Sequence, residues 1–156
     1  MKGSKKVVEA LNDVLGGELV GINQYFLHAK MCSNWGFERL AEKEHKEAID
    51  EMKHASDLTE RILFLEGVPN LQKLGKLHIG ETVPEQFRSD LALERDAVSK
   101  LNRAIALCVA ERDNTSREML EDMLESEEEH VDWLETQLGL IDKLGEAPYL
   151  AEQMRK

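Results

Sequence analysis

A chain of 156 residues has room for about one domain with a sizeable core. Charged residues make up 33% of it and aromatics only 5%, a balance that suits helices better than sheets. The net charge of -11 argues against a nucleic-acid-binding surface and leaves ample carboxylate for cations. Cys32 and Cys108 are isolated, with no CxxC pair, which excludes a zinc knuckle, a rubredoxin-like iron site and a disulfide framework. The opening MKGSKKVVEA lacks the apolar stretch of a signal peptide, and no run approaches the ~18 apolar residues of a membrane span. A cytoplasmic location is the expectation.

Apolar residues recur at helical spacing through four long segments. The first is predicted over about 4–34, with Ser4 as its cap and Val8, Leu11, Val14, Leu15, Ile22 and Phe26 along it; the sequence NWGF breaks it. Gly16, Gly17 and Gly21 lie inside this helix, each unfavourable by ~1 kcal/mol against alanine, so long-range packing is expected to compensate. The second helix is predicted over about 38–65, stopped by Gly67 and Pro69. GVPNLQKLGKLHIGETVP reads as a linker. At roughly 16 residues it could span up to ~53 Å, enough to run the length of a bundle. A third helix is predicted over about 84–111, then the turn RDNTS with Thr115 or Ser116 as cap, a fourth helix over about 115–144, and a short terminal one over about 147–155. Two long hairpins joined by one long linker is the plan of an all-α four-helix bundle with a crossover between the second and third helices, here as a single domain over 1–156.

Six residues repeat on this frame. Glu51 and His54 have the spacing E-x-x-H, and Glu127 and His130 repeat it 76 positions later. Glu18 and Glu94 share that offset of 76, and within each hairpin 33 positions separate Glu18 from Glu51 and Glu94 from Glu127. A decoy set obeys the same offsets: Glu9, Glu42, His45, Glu85 and Glu118. The helix wheel separates the two. Glu18 shares a face with Leu11, Val14, Leu15, Ile22 and Tyr25, whereas Glu9 keeps company with Lys5, Lys6, Asn12 and Asp13. Glu51, Glu94 and Glu127 likewise lie among apolar residues, while Glu42 lies among Glu38, Arg39 and Lys46. Four carboxylates buried among leucines cost several kcal/mol each unless paired or metal-bound. Two divalent cations balance four glutamates, and two imidazoles complete a nitrogen–oxygen shell suited to iron or manganese. This is the ligand arrangement of ferritin-like di-iron proteins.

With those residues in hand, the chain resembles the bacterioferritins over essentially its whole length, through MKG, GELVGINQYFLHAKM, IDEMKHA, RILFLEGVPNLQKLGKL, RSDLALE, LESEEEHVDWLETQLGLI and YLAEQM. The resemblance implies a homo-oligomeric shell of 24 subunits built from two-fold dimers. Each bundle would hold a ferroxidase centre that oxidises Fe(II) with O2 or H2O2 and deposits ferric mineral in the cavity. Carried over, Glu18, Glu51, His54, Glu94, Glu127 and His130 are the iron ligands, with Glu51 and Glu127 bridging. Tyr25, two turns from Glu18, would be a hydrogen-bond partner or electron source beside the iron. Met52, rotated ~100° from Glu51, would be an axial ligand to a haem b shared between two subunits, an electron route for iron release with a ferredoxin as reductant. Bacterioferritins often carry a histidine where this chain has Lys46, one turn before Asp50, which puts an inner-surface iron site in question. Asn34 and Gly139 replace acidic residues often found near their pores, while Glu66 and Asp132 are kept. His28 and His78 are expected to serve structure or surface, and Trp35 and Trp133 packing. Rival readings are another di-iron or dimanganese oxidoreductase on the same bundle, a DNA-protecting mini-ferritin, a haem-binding shell without oxidation, or a shell shared with a second subunit type.

Overall fold

The computed structural model describes residues 1–155, and these form five helices and no strand: α1 (Lys5–Asn34), α2 (Glu38–Phe64), α3 (Val83–Ala110), α4 (Asn114–Leu144) and α5 (Glu146–Glu152). Ser4 caps α1, its hydroxyl accepting from the Val7 amide. Thr82 does the same for α3 through the Glu85 amide, so that helix starts at Val83 with Pro84 in its first turn. The cap of α4 is Asp113 rather than Thr115 or Ser116. Its carboxylate accepts from both the amide and the hydroxyl of Ser116, and Arg61 reaches it from α2 at 2.9 Å. A carboxylate that also neutralises an arginine outcompetes the hydroxyls one turn further on.

α1, α2 and α3 stop in one way. The amide two residues past each C-cap reaches back to a carbonyl five residues earlier: Phe37 to Cys32, Gly67 to Ile62 and Asp113 to Cys108. The residue between takes a left-handed conformation. Glycine supplies it at Gly36, but Glu66 and Arg112 adopt φ of 63° and 60°.

Side-chain pairs fix the topology. Gln24 meets Asp90 and Cys32 meets Gln86, so α1 and α3 are antiparallel. Glu47 meets His130 and Arg61 meets Asp113, so α2 and α4 are too. The crossover is pinned along α1 in register: Asn12 to Val68 and Asn70, Gln24 to His78, His28 to Gly80. The apolar core falls into two clusters. One gathers Val7, Leu11, Leu15, Leu58, Ile62, Leu101 and Leu120; the other gathers Cys32, Leu40, Phe87, Leu91, Leu134 and Tyr149. On each of the four long helices, the six repeated Glu and His positions lie between these clusters. The bundle is apolar towards both ends and polar in the middle.

The glycine expectation holds in part. A β-carbon at Gly21 would press on Glu51 and Tyr25, whereas nothing lies within 4 Å of one at Gly16 or Gly17. Packing within the subunit explains the first and not the other two.

Candidate metal centre

Glu18, Glu51, Glu94, Glu127 and His130 are buried, and His54 is 14% exposed at its side chain. The decoys Glu9, Glu42, His45, Glu85 and Glu118 are all exposed. Two clusters form. Glu18, Glu51, His54 and Glu127 each bring one ligand atom within 4.8 Å of the others, and so do Glu94, Glu127 and His130. Glu127 belongs to both clusters; Glu51 belongs only to the first.

The imidazoles face the carboxylates through Nδ1. His54 Nδ1 lies 3.4 Å from Glu18 Oε2 and 3.2 Å from Glu127 Oε1. His130 Nδ1 lies 3.3 Å from Glu94 Oε1 and 3.4 Å from Glu47 Oε2. Protons are what hold these charges together without an ion. Burial opposes a charged imidazole, but the bonds to Glu127 and Glu18 outweigh it and push the His54 pKa up to about 10. Burial, together with the proton shared with Glu127, pushes Glu94 up to about 8. Burial also raises Glu18 and Glu127. His130 is raised too, chiefly by Glu94 working against desolvation. Titratable groups shifted by burial, in contact and enclosed, make this cluster the candidate functional site. Divalent cations can take the place of these protons.

Tyr25 sits inside the bundle, fully buried. Its hydroxyl donates to Glu94 and its ring stands edge-on to His130 at 5.2 Å between centroids. Desolvation raises its pKa well above that of a free phenol, so it stays protonated as a donor. Met52 lies outside, 52% exposed, on a hairpin flank that also leaves Phe26, Leu27 and Ile49 open. Lys46 is bound to Asp50 at 2.9 Å, an ion pair that neutralises the aspartate. Trp133 packs on Phe87 and takes the Lys43 ammonium over its ring.

A second buried polar group escapes the repeat: His28, Glu44 and Asp90, with ligand atoms within 4.8 Å of one another. It is not built like a metal site. His28 Nε2 accepts from the Gly80 amide, which leaves the proton on Nδ1, and Nδ1 lies 3.0 Å from Asp90 Oδ1. Gln24 Nε2 donates to the same oxygen at 2.8 Å. Neither imidazole nitrogen has a lone pair free for a metal. Glu44 has no hydrogen-bond donor, and burial beside Asp90 pushes its pKa well up. Glu47, the other carboxylate missed from the sequence, joins the centre through His130 and is held by Lys43 at 2.8 Å. The signal for both was present: Glu44 and Glu47 continue the inward row of Leu40, Ala48, Glu51 and Ala55.

Comparison with known proteins agrees with this geometry. Residues 8–144 match the ferritin-like domain family. The chain is 51% identical over 152 residues to the bacterioferritin BfrA of Mycobacterium tuberculosis, covering 97% of this chain and 96% of the relative. It is 47% identical over 151 residues to the bacterioferritin of Streptomyces coelicolor, covering 97% and 90%. Against the bacterioferritin of Brucella melitensis the identity is 46% over 149 residues, covering 96% and 92%. Fold, buried Glu/His clusters and identity along nearly the whole length converge: the chain belongs to the bacterioferritins, within the ferritin-like family. Among the described residues no helix is long and apolar enough to cross a membrane.

Proposed function

We propose that the chain is a ferroxidase subunit of an iron-storing shell. The observation that carries this reading is the pair of buried clusters joined through Glu127. Glu18 and His54 would hold one Fe(II), Glu94 and His130 the other, with Glu127 and Glu51 bridging. Iron is substrate here. As each ion enters, the protons held by His54, His130 and Glu94 leave, and the imidazole Nδ1 atoms become ligands. Two Fe(II) give one electron each to O2, which takes up two protons and becomes H2O2; peroxide as oxidant accepts two electrons and two protons to give water. Carboxylate oxygens favour the harder Fe(III) product. Tyr25 holds Glu94 in place through its hydroxyl and is the nearest side chain able to supply a further electron. Oxidised iron then passes to a ferric mineral in the cavity of a 24-subunit homo-oligomer of two-fold dimers, each subunit a single ferritin-like domain, in the cytoplasm.

Haem fits the outer flank of the α1–α2 hairpin. Met52 presents a half-exposed thioether beside other open apolar side chains, the donor and surroundings that a haem shared across a dimer needs. Bound there, haem would supply a one-electron carrier for reductive iron release, with a ferredoxin as reductant. Met52 from each subunit would hold it.

The test is the initial rate of Fe(II) oxidation by purified protein beside Glu127→Ala and His130→Ala. Both variants are expected to lose at least ~10-fold in rate. Equal rates in all three would overturn the ferroxidase assignment.

A further inference from the structure

The two halves of the bundle repeat the six ligand positions but not what surrounds them. The offset of 76 that relates Glu18 to Glu94 and Glu51 to Glu127 carries Gly21 onto Ala97 and Tyr25 onto Leu101. A β-carbon at Gly21 would stand 3.2 Å from Glu51 Oε2, 3.3 Å from Glu51 Cγ and 3.3 Å from Tyr25 Cε2. These separations are shorter than the ~3.5–4.0 Å of comfortable contact. Tyr25 cannot yield readily. It is fully buried, tied to Glu94 by its hydroxyl and packed edge-on against His130. The strain of an added methyl group would therefore fall on Glu51, itself 4% exposed. In the α3–α4 half an alanine stands at the matching place, beside an aliphatic chain instead of a fixed aromatic ring.

We propose that Gly21 is a positioning residue of the metal centre: its missing side chain is what lets Glu51 reach the ions past the fixed ring of Tyr25. The inference rests on the dinuclear reading above. It also accounts for a glycine in mid-helix that costs ~1 kcal/mol against alanine. Gly21→Ala thus favours the helix while displacing one ligand, so stability and metal binding should move in opposite directions.

The experiment is an anaerobic Co(II) titration of the purified full-length protein, followed by the visible absorption of the bound cobalt, with melting temperature alongside. The variants are Gly21→Ala, the mirror change Ala97→Gly, Tyr25→Leu, and Gly21→Ala/Tyr25→Leu, which installs in α1 the pair already present in α3. Wild type is expected to bind two Co(II) per subunit. Gly21→Ala should weaken at least one of them by about 10–100-fold, with no fall in melting temperature. Ala97→Gly should bind both as wild type does, and Gly21→Ala should cost far less in the Tyr25→Leu background, where the fixed ring is gone, than it costs in wild type. Wild-type affinities in Gly21→Ala, or an equal loss from Gly21→Ala in the wild-type and Tyr25→Leu backgrounds, would overturn this inference alone. A wild type that takes up no cobalt would overturn the dinuclear reading and this inference with it.

Discussion

At the scale of single residues, the candidate centre is a set of buried carboxylates and imidazoles whose shared protons shift one another's titration. This has a consequence for pH. Glu94 rises from an ordinary 4.5 to about 8, and His54 from 6.5 to about 10. In both cases the folded chain holds its proton more tightly than the unfolded one. The stability they contribute is therefore complete below the unfolded values and is lost as pH climbs towards the folded ones. The melting temperature of the metal-free protein should fall between about pH 5 and 10. His54→Gln should flatten the upper part of that fall. Metal uptake should run the other way, strengthening across the same window as fewer protons must be displaced; proton release on Co(II) addition at fixed pH measures it. The burial and clustering of the six repeated Glu and His positions were legible from the sequence because two independent periodicities, the helix wheel and the 76-residue repeat, selected the same residues. Glu44, Glu47, His28 and Asp90 obey the wheel but not the repeat. The His28–Glu44–Asp90 group is asymmetric, tied to the crossover at Gly80 through His28 alone, and no offset could reveal it.

At the scale of elements, helix boundaries came from local chemistry and were least readable where a distant residue intervened. Ser4 capping is local and visible in the sequence. Asp113 wins the cap of α4 partly because Arg61, 52 positions away, binds its carboxylate. The crossover could be measured in advance for reach, but its path depends on side chains of α1 that happen to face it, among them Asn12, Gln24 and His28. Two substitutions test this account. Gly80→Ala would set a β-carbon 2.3 Å from the backbone nitrogen of Gln86, so it should destabilise the fold by roughly 1–3 kcal/mol. Gly16→Ala meets nothing within 4 Å and should stabilise α1 by roughly 0.5–1 kcal/mol. Chemical denaturation of the two variants beside wild type reads both. A stabilised Gly80→Ala would mean that the crossover is not held where His28 and Gln24 place it.

At the scale of the whole molecule, the bundle separates two surroundings by direction. Its middle faces inward with carboxylates and imidazoles, and the α1–α2 flank faces outward with Met52, Ile49, Phe26 and Leu27 half open. On one turn of α2, Glu51 and His54 face the first and Met52 the second. If that flank is a haem-bearing two-fold interface, Met52→Leu should abolish the haem absorption of the purified protein while leaving the initial rate of Fe(II) oxidation near that of wild type. Full haem content in Met52→Leu would place the axial ligand elsewhere. The outward direction of Met52 could be read from its position on the helix wheel. What lies against it could not, because a partner surface leaves no period in the sequence of one chain.

On the proposed reading, one bundle encloses two metal positions sharing Glu127. Anomalous scattering at the iron edge, from crystals soaked in Fe(II) without oxygen, tests it most directly. Two peaks are expected inside each subunit, one beside His54 Nδ1 and one beside His130 Nδ1, with Glu127 reaching both. A single internal peak, or iron found only outside the bundle, would contradict it.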